Sequence, residues 1–134
     1  MGNPPPPPPT PETISLAFSN VRSEASSGLS TLKNSITERN FPAVLEFSKN
    51  WDLEFRKAKM GKAKKELVNS MADEQKAKEA KERMQALMNA VTFDLIGINK
   101  SVRKVGEEDV AAAEKLLLVL EGDIRSFINL EPSF

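Results

Sequence analysis

The residues that could do chemistry in this chain are few in kind. Cys, His and Tyr are all absent, so a nucleophile would have to be Ser or Thr, and its base a Lys or a carboxylate. The serines crowd one stretch (Ser15, Ser19, Ser23, Ser26, Ser27, Ser30), where they fit the solvated face of a helix. A carboxylate metal centre in a helical bundle draws on Glu together with Glu-x-x-His, and no His exists to complete it. The run Glu107, Glu108, Asp109 suits the acidic first turn of a helix. No glycine-rich phosphate loop is present. The expectation is therefore a non-enzyme with no catalytic residue, cofactor, metal or small-molecule substrate. A third reading, a bundle enzyme working through buried carboxylates, fails if every Asp and Glu proves exposed.

What remains is the chemistry of recognition. Residues Arg56 to Lys65, "RKAKMGKAKK", carry six cations and no acid. They read either as a contact for an acidic surface or as a solvated helix face balanced by acids elsewhere. No aromatic side chain is interleaved among them, which argues against nucleic acid. Pro4, Pro5, Pro6, Pro7, Pro8 and Pro9 form an unbroken run that predicts a polyproline II rod of roughly 20 Å. Such a rod is either a preorganised ligand for an aromatic-lined groove or a spacer.

Composition narrows the setting. The chain has 134 residues, 19 basic and 19 acidic, so no net field steers it toward nucleic acid or an anionic membrane. The longest apolar run, Leu116 to Leu120, is far short of a membrane span. Prolines stand where the apolar core of a secretory signal would lie, so any targeting segment is expected to have been removed already.

The elements that must position these residues are helical. Residues 1–10 read as the proline-rich arm and residues 11–131 as four helices, at about 11–39, 42–69, 71–105 and 107–130. Thr10 is a natural N-cap with Pro11 behind it. The first stripe is Ile14, Phe18, Val21, Ala25, Leu29, Leu32, Ile36, with one stutter and with Gly28 as a weak spot. Phe41 closes a turn and Pro42 opens the second helix, whose face is Val44, Phe47, Trp51, Phe55, Ala58. A reversal is placed near "LVNSMADE" on a Ser70/Asp73 capping box. Polar residues 73–83 follow, supported by Glu74–Lys78 and Glu79–Arg83 pairs. The third seam is Met84, Met88, Val91, Leu95, Ile98, Val102, Val105, with Gly106 ending the helix. The fourth is Val110, Ala113, Leu117, Leu120, Ile124, Phe127, and neither seam includes an acid. Four amphipathic helices with short links predict an all-α, antiparallel up-down four-helix bundle carrying an extended N-terminal arm.

Three segments add a resemblance. "ITERNFPAV" at 36–44, "LMNAVTFDLIGINKS" at 87–101 and "AAAEKLLLVLEGDIRSFI" at 111–128, behind a proline-rich arm, resemble the Q-type extrinsic subunits of photosystem II, the PsbQ and PsbQ-like family. The stretch between Phe41 and Gly106 is longer than in the higher-plant pattern and the tyrosines common there are missing, which suits a divergent algal-type member or a related lumenal subunit of another thylakoid complex. The resemblance implies a non-catalytic structural subunit, peripheral to the thylakoid membrane on its lumenal side in the chloroplast. Such a subunit shields the oxygen-evolving complex and helps retain its calcium and chloride without supplying ligands. Its partners would be the photosystem II core and other extrinsic subunits, docked by the Pro4–Pro9 arm and the Phe41–Pro42 corner. Arg56, Lys57 and Lys62 of the basic run are the further candidates for partner contact. The competing expectation is a cytosolic helical adaptor or scaffold subunit that presents its polyproline segment to a partner.

Overall fold

A computed structural model describes residues 8–133, and within them every regular element is a helix. The candidates Pro4 to Pro7 lie outside the described residues. Helix α1 spans Pro11–Thr37, α2 Phe41–Trp51, α3 Gly61–Ser70, α4 Glu74–Arg103 and α5 Val110–Ile128. A π-helical segment, Asp52–Met60, joins α2 to α3 without a break, so these three pieces make one long rod and the described residues form four rods.

Capping chemistry sets most of the ends. At α1 the Thr10 side chain accepts from the Thr13 amide at 3.2 Å, and the Thr10 amide donates to Thr13 Oγ1 at 2.9 Å. This reciprocal cap satisfies two of the otherwise unpaired amides of a helix start. The second rod begins at Phe41 itself, not at Pro42, because Asn40 caps it by accepting from the Ala43 amide. The reversal before α4 is also built differently from the capping box expected of Ser70 and Asp73. Asp73 alone caps α4, accepting from the Gln75 and Lys76 amides, while Ser70 turns back to donate to the Leu67 carbonyl at 2.6 Å. Glu107 and Glu108 stay in the loop before α5. Glu107 pairs with Lys104 at 2.8 Å, Glu108 accepts from the Gly106 amide, and Asp109 caps the helix through the Ala112 amide. Gly106 holds a φ of 85°, a region where a side chain would be strained.

Each rod buries one stripe. Phe18, Phe55 and Phe127 are fully buried, along with Met60, Met84 and Leu120. Each of these removes roughly 2–3 kcal/mol worth of apolar surface from water. α1 packs on α5 and on the α2–π–α3 rod, and α4 packs on the same two neighbours from the other side. Phe18 meets Phe127 with ring centroids 5.9 Å apart, and Arg22 pairs with Glu131, which ties the start of α1 to the end of α5. Thr13 likewise donates to Glu66, tying the same turn to α3.

Three seams differ from their sequence reading. In α1 the buried residue after Ala25 is Gly28, not Leu29, which moves the stutter to the last turns of the helix. Gly28 is no weak spot: a Cβ there would lie 2.2 Å from Trp51 Cε2, so the glycine is what lets the indole lie against α1. Trp51 in turn stacks on Phe55 with centroids 4.5 Å apart. In the second rod Ala58 is exposed, and the buried face runs Trp51, Phe55, Met60, Ala63, Leu67. The step of five from Phe55 to Met60 is the signature of π winding, whose hydrogen bonds reach back five residues and so bring residues five apart onto one face. In α4 the helix ends at Arg103, and Val105 is 91% exposed instead of closing the seam. The polar start of α4 is exposed as its composition suggests, but the Glu74–Lys78 and Glu79–Arg83 pairs do not form, and Glu79 instead accepts from Gln75.

Candidate functional site

The π segment borders a substantial groove on the bundle surface. Its wide winding turns Ala58 outward and leaves a groove of about 490 Å³ between itself and the first turns of α1. Leu16 and Ala17 of α1 and Ala58 give the groove an apolar floor, and Leu16 is 62% exposed there. Lys59 and Lys62 stand on one wall, and Pro8, the last exposed residue of the arm before Pro9 and the Thr10 cap, lines the rim. Glu66 closes one end. Its carboxylate accepts from Thr13 at 3.2 Å and lies 3.7 Å from Lys62 Nζ, a loose pair that leaves most of the ammonium's hydrogen-bonding capacity free. Lys59 makes no ion pair among the described residues. The groove is thus an apolar trough with a cationic edge, at the point where the proline arm enters the fold.

The candidates named from the sequence divide accordingly. Pro8 and Lys62 come together in this groove. Lys57 is exposed on the π segment but does not line it. Arg56 faces the other way. Its guanidinium grips Asp52 through two bonds, Nε to Oδ1 at 2.8 Å and Nη2 to Oδ2 at 3.0 Å, and Asp52 also accepts from Thr92 on α4. The Arg56 hydrogen bond holds the Asp52 carboxyl below the usual carboxylate range, against the opposing effect of burial. Arg56 is therefore committed to a clamp between the second rod and α4. Phe41 is half-buried against the core, and Pro42 is exposed beside it. That corner follows the far end of α1, about 40 Å along the helix from the arm. The described end of the arm, Pro8 and Pro9, and the corner therefore lie at opposite ends of α1.

Leu16, Thr13 and Lys59 were not among those candidates. Leu16 offered a signal: it is a large apolar residue two positions after Ile14, off the buried stripe, in the second turn beyond the arm.

A second constellation is missing from the seams as read from the sequence. Asp94 is buried at 8% exposure within the apolar stripe of α4. Its Oδ2 has no hydrogen-bond partner among the described residues. Across the interface lies Asp123 of α5, within hydrogen-bonding reach, and burial together with this carboxyl's hydrogen bond and charge pushes Asp94 up to about 7. Both were findable. Asp94 sits three residues after Val91 and four before Ile98, and Asp123 sits three after Leu120 and four before Phe127, so each belongs to its stripe by spacing. The condition that would remove a carboxylate-based bundle chemistry, every acid exposed, is therefore not met. Among the described residues, however, no group of three or more Asp or Glu side chains is placed to hold a metal ion. Nor, among those residues, is any helix long and apolar enough to cross a membrane. Comparison with known proteins finds no family model that fits the chain, and no characterised protein or solved structure that matches it significantly.

Proposed function

We propose that the chain is a non-catalytic docking subunit, an antiparallel up-down four-helix bundle whose proline arm and basic groove hold it to a larger assembly. The observation that carries this reading is the groove itself: Pro8, Leu16, Lys59 and Lys62 converge where the arm leaves the bundle. An apolar floor with one cationic wall suits an acidic protein segment that carries an apolar anchor, with the lysines adding attraction and orientation. A polyproline II arm entering that groove costs little entropy to order on a partner.

The assembly we propose is photosystem II, with the chain as a peripheral lumenal subunit that steadies the oxygen-evolving complex and its calcium and chloride. Support for this comes from the order of parts: a proline-rich arm, the "NFPAV" helix start, and the "AAAEKLLL" closing helix. The test is rebinding to thylakoid membranes washed free of their extrinsic subunits, with the full chain compared against one lacking residues 1–10. Saturable rebinding that needs the arm and restores oxygen evolution is the expected result. Absence of any binding to photosystem II overturns the assignment to that assembly. Capture of the same chain by a polyproline-binding module would then favour the cytosolic adaptor.

A further inference from the structure

We propose that Asp94 and Asp123 form a proton-operated latch between α4 and α5: sharing one proton they bridge the two helices, and with both ionised they push the C-terminal half of α5 away from α4. The geometry is that of a carboxyl pair with no counter-charge among the described residues. Asp94 projects from α4 among Val91, Leu95 and Ile98, all buried. Asp123 lies between Leu120 and Ile124 on α5, half-buried, and gives the pair its route to solvent. Neither aspartate takes part in an ion pair among the described residues.

Several charged groups on the neighbouring elements are engaged elsewhere. On α5, Arg125 is held by Glu121 at 2.9 Å. On the second rod, Asp52 and Arg56 satisfy each other and Thr92, and Lys64 donates to Gln85 of α4 at 2.6 Å. Among the described residues α1 packs on α5 but not on α4, and its Arg22 is held by Glu131. Two carboxylates this close in an apolar interface cannot both ionise without strong repulsion, so one of them holds a proton and donates it to the other. When that proton leaves, two negative charges face each other with no donor between them, and Asp94 Oδ2 loses nothing by separating because it has no other partner among the described residues. The end of α5 set loose in this way is the end that holds the start of α1, through Phe127 on Phe18 and Glu131 on Arg22. Those same turns of α1 carry Thr13 and Leu16 of the groove.

The experiment is amide hydrogen exchange of the full chain from pH 5 to 8.5, corrected for the intrinsic pH dependence of exchange. It is paired with a carbon-detected titration of the aspartate carboxyls. The latch predicts that protection across residues 120–128 falls by at least about tenfold on the alkaline side of neutrality, a factor that corresponds to one pKa unit of coupling. α2 and α3 should keep their protection. Asp94→Asn should hold α5 protected at every pH, because its side-chain amide donates permanently to Asp123. If Asp94→Asn does not fold, Asp123→Asn supplies the same donor from the other helix and carries the same expectation. Protection of 120–128 that does not change with pH, or that changes equally in the Asn variant, overturns the latch, as does a carboxyl titration showing both aspartates ionised by pH 5.

Discussion

At the scale of single residues, Gly28 and Trp51 act as one unit. A methyl group at position 28 would collide with the indole ring, which is itself held by stacking on Phe55 and Phe47. Gly28→Ala gains up to about 1 kcal/mol of helix propensity. It also overpacks the core, at a cost of about 1–3 kcal/mol. The expected outcome in urea unfolding is a net destabilisation, and a smaller one when Trp51→Phe is present in the same chain, since the smaller ring relieves the collision. Two aspartates make opposite demands on pH. Asp52 is lowered by Arg56, so its contribution is present above the unfolded carboxyl value of 3.8 and lost as pH falls through the lower folded value. Asp94 is raised to about 7, so its contribution is complete below 3.8 and disappears as pH rises through about 7. In that upper window the native state binds more protons than the unfolded chain. Denaturant midpoints should therefore be higher at pH 5 than at pH 8, and Asp94→Asn should flatten the difference. Equal midpoints in the unsubstituted chain would contradict the assignment.

At the scale of elements, the π segment decides what the sequence could reveal. An α-helical template reads Trp51 and Phe55 correctly and then fails, because Met60 lies five residues on instead of four, and the template places Ala58 inward. Removing one residue between Phe55 and Met60 would leave apolar steps of four, four, three and four, a plain α-helical stripe. Deletion of the exposed Ala58 is thus expected to leave a folded, fully helical chain by circular dichroism while collapsing the groove beside α1. Unfolding of that variant would show that the wide winding holds the core together. Gly61 sits just past this segment at a helical φ of −59°, and a Cβ added there would meet nothing within 4 Å. Gly61→Ala should stabilise the protein by about 0.5–1 kcal/mol, read as a higher urea midpoint. Elsewhere the stripes of α1, α4 and α5 were legible, because Ile14, Phe18, Met84, Val91, Leu120 and Phe127 recur at helical spacing and have no competing pattern. Asp94 and Asp123 were signalled by their spacing alone, and a stripe drawn only through apolar residues passes over them. The groove was hidden for a different reason. It joins Leu16 to Ala58 and Lys59 of the π segment, far apart in sequence.

At the scale of the molecule, zero net charge gives no long-range steering, so the local arrangement of charge must carry recognition. Lys59 and Lys62 face the groove, Lys57 points to solvent beside it, and Arg56 is spent on Asp52. These four neighbours in sequence should behave differently in binding. Arg56→Gln should lower stability by loosening the clamp on α4 while leaving the groove's charge intact. The most direct measurement is the dissociation constant for rebinding to stripped thylakoid membranes of three chains: the unsubstituted protein, the Lys59→Glu/Lys62→Glu pair, and Lys57→Glu. Docking through the groove predicts that the pair weakens binding by roughly a hundredfold, the loss expected when two interfacial charges are reversed, while Lys57→Glu changes it by less than about threefold. Equal affinity of all three chains, or a loss at Lys57 as large as that of the pair, would contradict the groove as the docking surface.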